Sequence, residues 1–205
     1  MLEGFTNALL LILVSELGDK SFLLAMLLAM RYPRWLVFAG VILALAVQTV
    51  IAAVAGQFLD LLPAAVVHWG IVALFLGFGG LLLVQAAQMQ PNIAAHLEAE
   101  DLEEVQALEN RLPKIAWLAP LLESFVLIFL AEWGDRTQIA TVALAAAHNP
   151  VGVAAGAIFG HGFCSGLAVL GGKWVAGRIS ERVILFCGGG LFILFGLLAI
   201  FEHGI

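Results

Sequence analysis

Two short stretches of the chain combine residue types that bind cations. Glu16-Leu17-Gly18-Asp19-Lys20-Ser21 and Glu132-Trp133-Gly134-Asp135-Arg136-Thr137 share one pattern: an acid, a spacer, glycine, aspartate, a base and a hydroxyl. Their carboxylates, with Ser21, Thr137 and Gln138 beside them, offer only oxygen. Oxygen-only ligation suits hard cations such as Ca2+, Mg2+ or Mn2+ better than metals that seek thiolate or imidazole. The charges agree. Glu16, Asp19, Glu132 and Asp135 bring four negative charges and Lys20 and Arg136 two positive, leaving −2, which one divalent ion neutralises. Two protons would neutralise an empty site equally well, so ion and protons compete for the same carboxylates. A plainer reading pairs each acid with the base beside it as structural glue, but that loses force when the pattern occurs twice.

The elements that carry these residues are apolar. Of 205 residues, 62% are hydrophobic and only 12% charged, and the mean hydropathy is +1.05. A soluble domain has about a quarter of its residues charged, so runs of this length must face lipid or one another. About 20 residues cross a bilayer, and six segments qualify: Phe5–Met30, Trp35–Leu59, Val66–Gln88, Trp117–Ala147, Val151–Val175 and Arg182–Phe201. The expected fold is an all-α membrane protein of six transmembrane helices. The first apolar run lacks the basic flank of a signal peptide and carries Glu16, Asp19 and Lys20, so it reads as a retained span. Glu16 lies about eleven residues into that span, roughly 17 Å deep at ~1.5 Å per residue. An acid there costs ~2.5–3.5 kcal/mol on insertion scales, so the four acids are expected to face a shared hydrated interior. In a continuous helix Glu16 and Asp19 share a face, and Gly18 and Gly134 would let two helices approach closely.

Shifting the chain by 116 residues superposes the two motifs, and also Gly40 on Gly156, Thr49 on Ser165, Gly56 on Gly172 and Gly80 on Gly196. The repeat holds three spans, an odd number, so the second copy enters from the opposite side. That makes an inverted-topology pair, an architecture in which substrate sites lie near the midplane between repeats. The organisation is therefore 1–90 as the first repeat, 91–116 as an acidic linker and 117–205 as the second repeat. The linker stretch Ala94–Leu112 is either a solvated connection or an amphipathic surface helix. Arg31, Arg34, Arg111, Lys114, Lys173, Arg178 and Arg182 all fall in loops on one side. By the positive-inside rule those loops and the linker are cytoplasmic and both termini outside.

Other polar residues weigh less. Gln48 and His161 sit mid-span and read first as helix-to-helix hydrogen bonds; His161, whose repeat equivalent is Leu45, is also a candidate proton relay. Glu123 opens the fourth span, Asp60 and His68 read as an outer loop, and Gly188-Gly189-Gly190 as close helix packing. Cys164 and Cys187 read as buried thiols without a disulfide. No basic patch suggests nucleic acid.

With both motifs in hand, the chain resembles the E-x-G-D-[KR]-[TS] family of cation/proton exchangers, which includes the Golgi Ca2+/Mn2+ transporters and the bacterial manganese exporters of the MneA kind. The resemblance rests on Glu16, Gly18, Asp19, Lys20 and Ser21, then Glu132, Gly134, Asp135, Arg136 and Thr137, with Gln138 following. It implies a secondary transporter, not an enzyme, that expels Mn2+ or Ca2+ against H+ with the acids as ligands. The ion is then substrate, no cofactor is needed, and the short loops resemble a prokaryotic member in a bacterial inner membrane. The competing functions are a passive divalent-cation channel and an intramembrane enzyme. The second lacks its motifs: Glu16 stands where Gly-x-Gly-Asp needs glycine, and Phe163-Cys164-Ser165-Gly166 lacks the leading glycine of Gly-x-Ser-Gly.

Overall fold

The computed structural model describes residues 1–17, 19–88, 118–176 and 181–202. Gly18, the side chain of Lys20 and the whole linker 91–116 lie outside the described residues. The described chain is all helical: α1 (Leu2–Glu16), α2 (Lys20–Arg31), α3 (Arg34–Phe58), α4 (Ala64–Gln88), α5 (Ala119–Ala131), α6 (Arg136–Ala147), α7 (Pro150–Ala176) and α8 (Glu181–Glu202), with a 3-10 turn at Leu59–Leu61. Asp60 falls in that turn, whereas His68 lies inside α4 rather than in a loop.

Three stretches are long and apolar enough to cross a membrane: Arg34–Phe58, Ala64–Gln88 and Pro150–Gly171. Ser21–Arg31, Ala119–Ala131 and Leu185–Phe201 are shorter apolar helices. The two motif-bearing segments, expected as continuous helices, are each broken at the motif. Helix α1 stops at Glu16 and α2 begins at Lys20; α5 stops at Ala131 and α6 begins at Arg136. Neither α1 nor α2 alone, at about 22 and 18 Å, would span ~30 Å of hydrocarbon.

The helices wear their polarity inside. On α3, Leu43, Val47, Val50, Val54 and Phe58 are exposed at helical spacing while Gln48 and Thr49 are buried. On α7, Phe159, Phe163 and Leu170 are exposed while His161 and Ser165 are buried. Water would reverse that pattern; lipid rewards it.

Helix pairing follows the repeat. Helix α1 runs parallel to α7, with Gly156 against the backbone of Phe5 and Gly160 against Ile12. Helix α3 runs parallel to α5 in the equivalent register, with Gly40 against Leu121 and Ser124. Gly40 and Gly156, and Leu121 and Phe5, are repeat mates, so one contact is built twice. In both, a Cβ would strike backbone, which is why glycine stands there. Helices α4 and α8 pack antiparallel through Gly79 on Ile193, Leu76 on Gly196 and Leu83 on Gly189, with Phe75 ringed by Phe192 and Phe195. Of the Gly188–Gly190 run, Gly189 makes the tight approach and Gly190 has open space.

Two apolar clusters result. One holds Leu11, Ile12, Ala140, Leu144, Val153 and Ala157. The other holds their 116-shifted mates Leu127, Ile128, Leu24, Leu28, Val37 and Val41. Each broken segment contributes one half to each cluster, so the motifs fall along the chain between them. Of the cysteines, Cys164 is buried as expected, whereas Cys187 is exposed.

Candidate cation site

The break at the second motif has a local cause. Gly134 takes φ +80°, a left-handed conformation that L side chains resist. An added Cβ there would meet nothing within 4 Å. The glycine is needed for the turn and not, as its sequence context suggests, for close helix packing. Its N–H donates to Gln138 Oε1 at 2.6 Å. Asp135 then serves as the N-cap of α6: the backbone N–H of Gln138 donates to its Oδ1 at 2.8 Å and that of Thr137 to its Oδ2 at 3.2 Å. An aspartate in that place satisfies amides that open the helix.

Breaking a helix also orphans carbonyls at its C-terminal end. Gln48 Nε2 on α3 donates to the Phe129 carbonyl of α5 at 2.7 Å. At the repeat-equivalent place, Cys164 Sγ on α7 points to the Leu13 carbonyl of α1 at 3.9 Å. The helix-to-helix role expected of Gln48 is therefore specific: it caps a half-helix three residues before Glu132.

The acids converge. Carboxylate oxygens of Glu16, Glu132 and Asp135 lie within 4.8 Å of one another. Glu16 and Glu132 are 2% and 4% exposed, too dry to be held in place by water alone. Both oxygens of Glu16 are held by hydroxyls, Ser21 Oγ donating to Oε2 at 2.7 Å and Thr137 Oγ1 lying 3.0 Å from Oε1. Thr137 Oγ1 also lies 2.8 Å from Asp135 Oδ2, so it bridges the two carboxyls. Asp19 is held differently. Its Oδ2 accepts from Arg136 Nη2 at 2.6 Å, an ion pair between the first motif and the second. Arg136 thus serves the distant acid and not its neighbour Asp135. A crevice beside the carboxyls is lined by Gln48, Thr49, Asp135, Thr137, Gln138 and His161, among others. His161 is buried, with Nδ1 3.9 Å from Glu16 Oε1. Glu123 is buried too, and its Oε2 has no hydrogen-bond partner among the described residues. Sequence reasoning missed Thr141, which is buried, bonds the Thr137 carbonyl and also lines the crevice. Its spacing one helical turn after Thr137 was the available signal.

The family model for the divalent cation/proton antiporter GDT1 matches residues 4–90 and 120–204. The chain belongs to this family of cation transporters. It is 51% identical over 203 residues to the GDT1-like protein sll0615 of Synechocystis sp., covering 97% of both chains. It is 40% identical to the chloroplastic GDT1-like protein 2 of Oryza sativa subsp. japonica, over 97% of this chain and 61% of that one. It is 39% identical to the chloroplastic PAM71-homolog of Arabidopsis thaliana, over 97% of this chain and 59% of that one. No solved structure matches. Membership makes the chain a membrane transporter, with a divalent cation and H+ as the substrates its family name implies.

Proposed function

We propose that this GDT1-family chain expels a divalent cation, Mn2+ foremost and Ca2+ as second candidate, from the cytoplasm in exchange for H+. The observation that carries the reading is the convergence of Glu16, from one motif, with Glu132 and Asp135, from the other, in a buried cluster. Three carboxyls within 4.8 Å form an oxygen cage fit for a hard divalent ion. Asp19 joins through Arg136, which holds it at the edge of that cage.

Support for the proton as the second substrate comes from Thr137, which has a single hydroxyl proton and two carboxyl contacts. It satisfies both Glu16 and Asp135 only when one of them carries a proton of its own. A proton-loaded and an ion-loaded cage are then alternatives, and either relieves the bare negative charge that would oppose a change of access. A channel has no use for that competition.

The architecture that serves this cycle is six spans as two inverted repeats, with α1–α2 and α5–α6 as the broken first spans of each half. The 116-residue exchange of contacts and clusters supports it, as do the half-helix ends that meet at Glu16, Glu132 and Asp135. The termini lie outside and the linker in the cytoplasm, in a plasma membrane whose inward proton gradient drives the ion out.

The test is reconstitution. In sealed proteoliposomes an imposed pH gradient drives Mn2+ uphill, and Mn2+ added without a gradient moves protons the opposite way. Strictly downhill Mn2+ flux with a silent internal pH dye would make the protein a uniporter.

A further inference from the structure

We propose that His161 is a nitrogen ligand of the transported ion and biases the cage toward Mn2+ over Ca2+; this rests on the carboxylate site just argued. His161 projects from α7, is 5% exposed, and lines the same crevice as Asp135 and Thr137. The common role of a buried histidine in a helix bundle is to bond a neighbouring helix. That role needs a partner, and His161 Nδ1 has none among the described residues. A buried polar atom left this way is costly. Its nearest anionic atom is informative: Glu16 Oε1 lies 3.9 Å away, too far for a hydrogen bond. Two donors on one ion, each at ~2.0–2.6 Å, lie up to about 5 Å apart. The gap is therefore the right size for an ion between Glu16 and the imidazole.

The chemistry of that nitrogen decides selectivity. The carboxylates alone treat Mn2+ and Ca2+ as similar hard ions. Ca2+ keeps to oxygen ligands; Mn2+ also suits carboxylates but, as a first-row transition ion, accepts an imidazole nitrogen beside them. One imidazole adds a ligand without charge and separates the two. The repeat makes the choice visible, because the equivalent residue Leu45 lines the same crevice and offers no donor. Only one of the two pseudo-equivalent walls carries the nitrogen.

Pulsed EPR of Mn2+ bound to the purified full chain tests the proposal. The chain carries five histidines, so labelling all of them with 15N and substituting this one identifies the source. The expected spectrum shows nitrogen coupling that shifts on [15N]histidine labelling and vanishes in His161→Leu. That variant binds Mn2+ roughly 10–100-fold more weakly, the range seen when a supporting group is lost at a metal site, with Ca2+ affinity unchanged. Mn2+ whose binding requires Glu16 but shows no histidine nitrogen would overturn the ligand assignment and leave the carboxylate cage standing. Equal weakening of Mn2+ and Ca2+ in His161→Leu would overturn the selectivity. Mn2+ binding that survives Glu16→Gln would remove the cage and this proposal together. Where His161→Leu fails to fold, His161→Gln supplies the same loss of histidine coupling, and a labelled native chain with no histidine nitrogen on Mn2+ overturns the ligand assignment without any variant.

Discussion

Arg136 and Asp19 join the two halves of the protein: Nη2 of one donates to Oδ2 of the other at 2.6 Å, across 117 residues of chain. Their side chains are 28% and 23% exposed, so the pair is only partly buried. Asp135, the nearest acid in sequence, spends its oxygens on capping α6, which frees the guanidinium for the opposite repeat. Asp19→Asn and Arg136→Gln are each expected to lower stability and transport, and the double variant to lose less than the sum. A double-mutant cycle by thermal denaturation should give a coupling of about 0.5–3 kcal/mol; strict additivity would mean that the pair is incidental.

Single amide variants probe the cage itself. Glu16→Gln, Glu132→Gln and Asp135→Asn keep the shape of each side chain and remove its charge. Each is expected to abolish Mn2+ efflux while the protein still inserts, since the ion loses a charged ligand beside the almost fully buried Glu16 and Glu132. Asp135→Asn can still accept bonds from α6, so it should fold as well as the parent. Wild-type efflux in any two of the three, measured in cells lacking their own manganese exporter, would refute the cage.

Glycine substitutions separate turn chemistry from packing. Gly134→Ala forces a Cβ into a left-handed position at about 1–2 kcal/mol and displaces the Asp135 cap, so both stability and transport should fall. Gly156→Ala drives a methyl into the Phe5 backbone and should destabilise by steric clash. Gly80→Ala, with open space around the added carbon, should be neutral or stabilising by up to about 1 kcal/mol. A Gly134→Ala protein as stable and active as Gly80→Ala would show that the break does not need its positive φ.

Gln48→Leu removes the donor to the Phe129 carbonyl and leaves it buried beside the cage. The expected cost is ~1–3 kcal/mol, together with weaker Mn2+ transport as α5 loses its fixed end. Cys164→Ala should cost less, because a thiol at 3.9 Å is a weak donor. Ranking the two by melting temperature checks the account; an inverted order would discredit it.

The orientation is open to labelling. In a background lacking Cys164 and Cys187, a cysteine near either terminus should react with an impermeant reagent from outside, and one near Arg34 or Arg178 should not. The opposite pattern would turn the transporter over in the membrane.

Much of this protein was legible in its residue order. The apolar runs required a helical membrane protein, because backbone polar groups in lipid must be satisfied within each segment. The 116-residue self-match exposed the repeat, since Gly40 and Gly156 each stand where two helix backbones touch. The doubled acidic motif pointed to the place where Glu16, Glu132 and Asp135 converge, because acids in hydrocarbon are costly. What the order of residues left undecided was set by geometry in three dimensions. A continuous helix and a broken one share the same apolar composition, so the interruption at Gly134 emerges only from its positive φ and the cap of Asp135. Helical periodicity put Glu16 with Asp19; the fold instead put Glu16 with Glu132 and Asp135, and gave Asp19 to Arg136. Side chains choose partners by distance through space, and a chain that returns on itself after 116 residues brings its second motif into contact with its first.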